Sequence, residues 1–335
     1  MRIGITLKEK DVDFIISLLN LHKEVSINEV LLQMLRKNIG SSDILFILLQ
    51  ILTQDGYVEG SKGVLKIIKP IDEKEVNIIK SSLVENLSKN PKVFVTPLEV
   101  GKFFQCPRRV WLEKVVFSTQ RKEERGKMWD GEALHFAINQ LAKNLEKGEA
   151  SAVIEEAANK AVEKYAGKIE IGKEKLVEFL SKFYEFIKEE EIVTIFTEKL
   201  IESFSEGLVG TPDIIGIRKD EKVIPVDIKL GYLGRGLKKE HALQIIGESI
   251  LTERFFRKRV EVAYLIYFES NSLVKIVVRD DMKREFLMYK KGLIKTFRSR
   301  YIPPISRLPN FKRRVCQGCH VKHACENIEL LKRIY

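Results

Sequence analysis

Two acidic side chains near the middle of the sequence have the spacing of a cation-binding pair. Two β-rich runs, residues 207–218 and 222–230, are separated by a short charged turn. Pairing these runs as a hairpin centred near Asp220 places Asp213 opposite Asp227, with their Cα atoms about 4.5–5.5 Å apart. Facing carboxylates repel each other and weaken a sheet unless a cation lies between them. The spacing therefore predicts a metal-binding pair.

A lysine adds a fixed positive charge to this pair. Lys229 follows Asp227 by two residues, so both side chains lie on the same face of the strand. A hard divalent cation such as Mg²⁺ or Mn²⁺ can activate water and polarise a phosphoryl oxygen, and a nearby ammonium can orient that water or offset charge on the phosphate. Asp213, Asp227 and Lys229 thus predict hydrolysis of phosphodiesters. The alternative is an exposed hairpin with ordinary surface charges, because Asp-x-Lys is a common triplet.

The four cysteines of the chain form a second candidate site. Cys106 stands alone, whereas Cys316, Cys319 and Cys325 lie close together near the C-terminus. In an intracellular protein, clustered cysteines are more often metal ligands than disulfides. Four thiolates suit an iron–sulfur cluster or tetrahedral zinc, and for zinc either of the two histidines between Cys319 and Cys325 could replace a thiolate. A set of buried structural thiols is the third interpretation.

The composition is that of a globular protein with a polyanionic partner. The chain has 335 residues, 44% hydrophobic and 31% charged, and a formal net charge of +11. This length allows two domains with ample core, and the positive charge favours nucleic acid as a partner. Neither a signal-peptide pattern nor an apolar run of membrane-spanning length occurs in the sequence. We therefore expect a cytoplasmic protein without membrane association.

The N-terminal part of the sequence, residues 1–70, predicts three helices followed by a hairpin. Apolar periodicity over residues 9–21 predicts the first helix, and a capping box from Ser26 to Glu29 begins the second. The third helix, residues 41–56, is followed by a Gly-Ser-Lys-Gly turn typical of a β-hairpin. This order resembles a small winged helix-turn-helix domain.

The third of these helices has the wrong composition for reading DNA. A recognition helix normally offers basic or amide groups to the bases, but residues 41–56 contain no Lys or Arg. We therefore expect the winged-helix-like module to dock a protein. Residues 71–91 predict a connecting helix and linker, and residues 92–335 form the second predicted domain.

Further helices and strands surround the acidic pair in residues 92–335. The sequence predicts helices over 126–145, 150–191 and 282–298 and strands over 192–204, 260–268 and 273–278. Glu198 and Glu202 are candidate accessory carboxylates, with solvated strand charges as the alternative. Several basic residues near the C-terminus are candidates for contacting phosphates: Arg298, Arg300, Arg307, Lys312, Arg313 and Arg314.

Three separated motifs give residues 92–335 a specific resemblance. They are Gln105-Cys-Pro-Arg-Arg, then Pro212-Asp213 with Asp227-Ile-Lys229, and finally the Cys-x₂-Cys-x₅-Cys group. Their order resembles the RecB-like iron–sulfur exonucleases of CRISPR systems, the fourth Cas family within the PD-(D/E)xK superfamily. The resemblance spans roughly residues 95–330. It implies an α/β, restriction endonuclease-like core and a 4Fe–4S cluster held by the four cysteines Cys106, Cys316, Cys319 and Cys325.

The same resemblance assigns roles to two more residues. A histidine on an apolar helix face is most often a core residue, but the family places a metal-binding histidine on a helix before its first catalytic Asp. His135 is therefore the implied third ligand beside Asp213 and Asp227. Gln244 resembles the Gln of the RecB-type Q-x-x-x-Y motif, which positions the DNA backbone. Glu248 stands where that motif has Tyr, and this is a departure from the family.

The resemblance also implies a biological task. The expected activity is metal-dependent exonucleolytic trimming of single-stranded DNA ends during acquisition of CRISPR spacers. The implied partners are DNA with single-stranded or overhanging ends and the integrase formed by the first and second Cas proteins. Two alternatives remain: an adaptor that binds DNA or a Cas assembly without cutting, and a RecB-type DNA repair nuclease outside CRISPR.

Overall fold

The computed structural model of the protein describes residues 2–3, 8–61, 63–88, 93–114, 125–145, 149–298, 303, 305 and 316–327. Five of the six predicted phosphate contacts, Arg300, Arg307, Lys312, Arg313 and Arg314, lie outside this range. The chain divides into two compact units. The first unit contains Met1–Thr96, Lys199–Thr211 and Ile250–Arg259, and the second contains Pro97–Glu198, Pro212–Ser249 and Val260–Tyr335.

The described residues include twelve helices and twelve strands. The helices are α1 (Glu9–Asn20), α2 (Ile27–Arg36), α3 (Ser42–Gln54), α4 (Glu73–Ser88), α5 (Pro97–Gln105), α6 (Pro107–Lys114), α7 (Arg125–Asn144), α8 (Ala150–Lys164), α9 (Lys173–Glu189), α10 (Lys239–Phe256), α11 (Asp280–Arg298) and α12 (Lys322–Glu326). The strands are β1 (Arg2–Ile3), β2 (Glu24–Ser26), β3 (Val58–Ser61), β4 (Val64–Ile67), β5 (Val93–Phe94), β6 (Ile192–Thr197), β7 (Ile201–Ser203), β8 (Leu208–Gly210), β9 (Ile214–Arg218), β10 (Val223–Lys229), β11 (Val262–Tyr267) and β12 (Ser272–Val277). Five consecutive helices, α5–α9, precede five consecutive strands, β6–β10.

The first unit contains the three helices and the hairpin that the sequence predicts. The apolar stripe of α1 is buried, and Ser26 caps α2 because its Oγ accepts a hydrogen bond from the backbone N–H of Glu29 at 3.0 Å. Ser41 precedes α3 without making a capping hydrogen bond. The hairpin β3–β4 gains a strand that the sequence did not predict, since β2 pairs with β4 and the sheet order is β2-β4-β3.

Two distant chain segments complete the first unit. The hairpin β7–β8 lies against the segment before α3, where the backbone N–H of Glu202 donates to Gly40 O at 2.9 Å. A Cβ on Gly40 would lie 1.8 Å from the carbonyl oxygen of Leu200, so only glycine permits this approach. The last seven residues of α10 also belong to this unit, and the Arg254 carbonyl accepts a hydrogen bond from the Ser42 hydroxyl at 3.1 Å.

Two predicted strands are interrupted, and the predictions of continuous strands over 192–204 and 207–218 are wrong. The first run divides into β6 and β7, and the second into β8 and β9. Glu198 interrupts the first run because it adopts φ 49°, a left-handed conformation that leaves the extended strand. Pro212 lies in the gap of the second run, where it cannot donate a hydrogen bond to a sheet ladder.

The second unit is built on a mixed sheet. The described strands follow the order β12-β11-β10-β9-β6, and β10 and β11 are the parallel pair, connected through α10. The predicted hairpin is confirmed as β9–β10, with Val226 paired to Ile214 and Val223 paired to Ile217. The predicted helices and closing strands correspond to α7, α8, α9, α11, β11 and β12. The fold is therefore α/β with a mixed sheet.

The two faces of the central strands have different neighbours. Val226 and Ile228 pack with α7, α8 and α9 in one apolar cluster. This cluster also contains the aromatic residues Phe179, Phe183 and Phe186 of α9. Because side chains alternate along a strand, Asp227 and Lys229 of β10 point to the opposite face.

Close packing fixes the position of α10 on that opposite face. A Cβ on Gly247 would lie 2.5 Å from the Phe286 ring of α11 and 2.8 Å from the Cβ of Pro97 on α5. Glycine at this position lets α10 approach both helices without a clash. Within the described residues, no helix is long and apolar enough to cross a membrane.

Candidate active site and cysteine cavity

The acidic pair lies at the open end of the β9–β10 hairpin. Asp213 directly precedes β9, and continuing the strand register by one pair places it opposite Asp227 on β10. The Asp213 Oδ2 atom accepts a hydrogen bond from the backbone N–H of Ile228 at 2.7 Å. Asp227 is only 2% exposed. The hairpin thus brings one partly and one fully buried carboxylate together.

Lys229 and Gln244 connect the acidic pair to α10. The Lys229 Nζ atom lies 2.7 Å from Asp227 Oδ2 and donates to Gln244 Oε1 at 2.7 Å. The Gln244 amide donates to Asp227 Oδ1 at 2.8 Å and to Glu248 Oε1 at 3.0 Å. Because its oxygen faces an ammonium and its nitrogen faces two carboxylates, the orientation of the Gln244 amide is determined by its neighbours.

Burial changes the protonation of the carboxylates. Desolvation raises the pKa of Asp213 to about 6, and the hydrogen bond from Ile228 N–H and the charge of Lys229 offset this only in part. Desolvation likewise raises the pKa of Asp227 to about 7 against the opposing charge of Lys229. For Lys229 desolvation opposes the charged form, but the carboxylates of Asp227 and Glu248 outweigh it and raise the pKa. The lysine is therefore charged at neutral pH.

His135 reaches the acidic pair from α7. Its Nδ1 atom lies 3.9 Å from Asp213 Oδ1. Burial lowers the pKa of His135 although the charges of Glu198 and Asp227 oppose this change. A neutral imidazole beside a carboxylate is a competent metal ligand. The structure thus brings together the five predicted residues of this site: His135, Asp213, Asp227, Lys229 and Gln244.

Sequence reasoning underrated two carboxylates near this site. Glu248 is 4% exposed, and desolvation with the charges of Asp227 and Asp213 raises its pKa well above the usual range. Its position four residues after Gln244, on the same helix face, was the available signal. Glu198 is exposed, but its charge acts on His135 and Asp213. Glu202, the other candidate, lies in the first unit on β7.

The side chains at this site are of the kinds that bind a hard cation, but most of the oxygens of Asp213 and Asp227 contact other groups of the protein. No three His, Cys, Asp or Glu side chains within the described residues surround a common point where a metal ion could bind. Asp213 Oδ2 and both oxygens of Asp227 instead face Ile228 N–H, Gln244 and Lys229. Three buried or partly buried carboxylates face a single ammonium here, so their ionised forms leave an uncompensated negative charge. Oxygen ligands with excess negative charge fit Mg²⁺ or Mn²⁺.

The four cysteines line one cavity. Cys106, Cys316, Cys319 and Cys325 surround a space of about 380 Å³, and none of them forms a disulfide. Burial raises the pKa of the Cys319 thiol, and the nearby Cys106 and Cys325 add to the shift. Beneath the cavity, α6 and the segment leading into α12 share an apolar cluster that contains Trp111, Leu112 and Val321.

The histidines near this cavity are engaged elsewhere. The His320 Nε2 atom lies 2.9 Å from Glu113 Oε1, and His323 is exposed beside Asn327. Neither histidine is among the residues that line the cavity. Arg108 approaches it, with Nη1 3.9 Å from the Cys325 sulfur. The cavity thus has four cysteines in its lining and one arginine nearby, although no three of these side chains within the described residues are placed to bind a metal ion.

Two carboxylates and a lysine at a buried strand end suit metal-assisted hydrolysis of phosphodiesters. A sequence model of the PD-(D/E)XK nuclease superfamily matches residues 95–326, which is more than half of the chain. The chain belongs to this superfamily. Its members are generally nucleases and usually use Mg²⁺ or Mn²⁺, and a nuclease fold implies DNA as the substrate.

Comparisons with individual proteins add little to this assignment. A solved structure described as "Crystal structure of SSO0001" is similar over 72% of this chain and 90% of its own length, with 16% sequence identity and a TM-score of 0.34. No protein with curated annotation matches the chain in sequence.

Proposed function

We propose that the chain is a metal-dependent deoxyribonuclease that trims single-stranded DNA ends during acquisition of CRISPR spacers. The observation that carries the nuclease proposal is the hydrogen-bonded set of Asp213, Asp227, Lys229 and Gln244 at the end of β10. Buried acids with raised pKa values beside a charged lysine are costly to a fold, and such sites are characteristic of catalysis. The motif order Cys, Asp, Asp-x-Lys, Cys₃ supports the CRISPR assignment.

The site residues have separate tasks in this reaction. Asp213, Asp227 and His135 would hold Mg²⁺ or Mn²⁺, which when bound supplies Lewis-acid polarisation of the phosphate and an activated water. Lys229 holds a positive charge beside the reacting phosphate, where it offsets the negative charge that develops as the bond breaks. Gln244 keeps Lys229 and Asp227 in one orientation, because it hydrogen-bonds to both.

An exposed aromatic residue next to the catalytic strand supports a single-stranded substrate. Tyr232 is 65% exposed and is the only aromatic side chain among the large exposed apolar residues that the structure describes. It follows Lys229 by three residues in a loop that also carries Arg235 and Lys238. Unpaired bases stack on such rings, and each stacked base contributes about 1–3 kcal/mol. Tyr232 therefore binds a base while the loop cations face the DNA backbone.

The cysteine cavity is proposed to hold a 4Fe–4S cluster that braces the second unit. Its four thiols come from a helix boundary near residue 106 and from the C-terminal segment, so a shared cluster joins α6 to the segment around α12. Zinc is the competing occupant. An absorption band near 400 nm together with iron in metal analysis supports the cluster, whereas one zinc per chain and no such band would reject it.

The first unit is proposed to be a winged-helix-like module that docks a protein, with the integrase made by the first and second Cas proteins as partner. Its third helix, α3, is largely buried within the unit. Arg257 contributes to this burial, because it pairs with Asp43 at 3.4 Å and lies 4.3 Å from the Phe46 ring centre. A helix covered in this way does not enter a DNA groove.

A nuclease assay on labelled single-stranded DNA tests the central proposal. We expect wild-type protein with Mn²⁺ or Mg²⁺ to shorten the strand from an end, and Asp227→Asn and Lys229→Met to abolish cleavage. Tyr232→Ala should weaken single-stranded binding while Tyr232→Phe retains it. Cleavage by the Asp227 variant at the wild-type rate would reject the site.

An adaptor that binds DNA without cutting is the second candidate. Glu248 favours it, because it occupies the place of the Tyr in the Q-x-x-x-Y motif and lies buried beside Gln244, so the DNA-positioning hydroxyl of that motif is missing. The same assay separates the two functions. An adaptor retains DNA and never shortens it, whatever metal is supplied.

A further inference from the structure

A histidine and a tyrosine next to the proposed catalytic residues have no role in the reaction described so far. His241 lies one turn before Gln244 on α10, and Tyr267 is the register partner of Lys229 on the parallel strand β11. The His241 Nδ1 atom lies 2.9 Å from the Tyr267 hydroxyl oxygen. The pair thus adjoins both elements that carry the proposed catalytic groups.

The hydrogen bond between them determines where the imidazole carries its proton. Tyr267 is 0% exposed, and His241 Nδ1 is the partner of its hydroxyl within the described part of the chain. If Nδ1–H donated to the hydroxyl oxygen, the buried O–H would have no acceptor, which costs free energy. The favoured arrangement therefore has the Tyr267 O–H donating to Nδ1. A neutral imidazole that accepts at Nδ1 carries its hydrogen on Nε2.

The charges around His241 keep it neutral. Burial lowers the pKa of His241 to about 4, and the ammonium groups of Lys229 and Lys238 act in the same direction. Burial also raises the pKa of Tyr267 to about 12, so the phenol retains its proton. The His241 ring is partly exposed, and no residue in the described ranges accepts a hydrogen bond from its Nε2.

Gln244 is the residue of α10 with a side-chain amide, and its N–H groups already have partners. Both donor contacts of the Gln244 amide are directed to Asp227 and Glu248, so this amide has no hydrogen left for a phosphate. A phosphate entering the site needs donors, and His241 Nε2–H is one that leaves the charge of the site unchanged.

We propose that His241 binds a non-bridging phosphate oxygen of the DNA strand through Nε2–H, and that Tyr267 is a positioning residue that fixes this tautomer. The inference rests on the proposed nuclease function and identifies a phosphate subsite of the same active site. His241 transfers no proton in this role. It holds the backbone next to the scissile bond while Lys229 and the acidic pair act on that bond.

Two amide substitutions distinguish the two ring nitrogens. The amide nitrogen of glutamine reaches about as far as Nε2, whereas the amide of asparagine reaches only as far as Nδ1. We expect His241→Gln to retain most of the activity on single-stranded DNA. His241→Asn should lower kcat/KM by about 10- to 100-fold, the range for losing a hydrogen bond to a charged group. Equal activity of the two variants, at matched melting temperatures, would overturn the proposal.

A tautomer measurement tests the positioning role without any substrate. Side-chain ¹⁵N spectra of wild-type protein, with the His241 signals assigned by their loss in His241→Asn, should show a neutral ring protonated at Nε2. Tyr267→Phe should shift these signals towards a mixture of tautomers and raise KM more than it lowers kcat. A ring protonated at Nδ1 in wild-type protein contradicts the inference. If wild-type protein cleaves no DNA, the nuclease function fails and this inference falls with it; if it cleaves DNA but His241→Asn matches wild type, only this inference fails.

Discussion

The acidic site and the cysteine cavity are both donor sets within the second unit, but they are stabilised in opposite ways. The acidic site is cross-linked by its own hydrogen bonds, since Gln244 and Lys229 engage both oxygens of Asp227. The cysteine cavity is a space of about 380 Å³ lined by thiols from distant parts of the chain. Oxygen ligands find donors within a protein, whereas thiols are weak hydrogen-bond partners. We therefore expect the acidic site to keep its shape without metal and the cavity to depend on its occupant.

The largest expected effect is on activity at the acidic site. Asp213→Asn preserves shape but removes a proposed metal ligand, so we expect cleavage to fall by about 10²–10⁴-fold. Its thermal stability should be unchanged or higher, because the substitution removes one of several like charges. Rates and melting temperatures measured on the same preparations check this. A large loss of stability would show that the acidic site does not keep its shape without its charged ligands.

The second effect is on stability at the cysteine cavity. Cys106→Ser removes one thiol of the four, and loss of the bound group should lower the free energy of unfolding by more than about 4 kcal/mol. Denaturant unfolding together with the absorption near 400 nm follows both changes. Ser203→Ala, a buried change in the first unit, serves as a control that leaves the absorption intact. If Cys106→Ser has the same free energy of unfolding as the wild-type protein, the cavity does not depend on a bound group for its stability.

The third effect is a pH dependence of metal binding at the acidic site. With pKa values of about 6 for Asp213 and about 7 for Asp227, protons occupy the ligands as pH falls from 8 to 5. Metal must displace these protons, so affinity falls with decreasing pH by about tenfold per unit for each proton. Mn²⁺ titration calorimetry in two buffers of different ionisation enthalpy measures affinity and proton release. Constant affinity over this range would contradict the raised pKa values.

The raised pKa values of Asp213 and Asp227 also make the stability of the metal-free protein depend on pH. A folded-state pKa above the unfolded value means that the native state binds more protons between about pH 4 and 7. The free energy of unfolding should therefore increase as pH falls from 8 towards 5. Asp213→Asn should reduce this slope.

The smallest expected effect comes from the third carboxylate. Glu248→Gln keeps a side chain of the same size beside Gln244. Because burial raises the pKa of Glu248 well above its usual range, glutamine replaces a carboxyl that is already largely protonated. We expect the acid limb of the pH–rate profile to move to lower pH by less than about one unit, with a small change in the maximal rate. Glu198→Gln is the matched comparison. The charge of Glu198 raises the pKa of Asp213 and opposes the lowering of the His135 pKa, so this variant should move the acid limb to lower pH at least as far. A complete loss of activity in Glu248→Gln would instead make Glu248 essential for binding or catalysis.

Local chemistry explains which parts of the fold were predictable. Helices α1, α2 and α3 follow from apolar periodicity and one capping serine, and the β9–β10 hairpin follows from its charged turn. The prediction failed where the chain changes direction inside an apolar run. Glu198 at φ 49° and Pro212 interrupt strands that hydrophobicity alone made continuous.

The Asp213–Asp227–Lys229 arrangement could be predicted from the amino-acid order, because a strand period of two and a short turn fix which residues face each other. Three other features follow only from long-range packing: α10 adds Gln244 and Glu248, β11 adds Tyr267 beside His241, and residues 199–211 join the first unit. These contacts join residues that are far apart in the chain or carried by different elements. They depend on packing such as that of Gly247 against Phe286 and of Gly40 against Leu200, and no local periodicity encodes such packing.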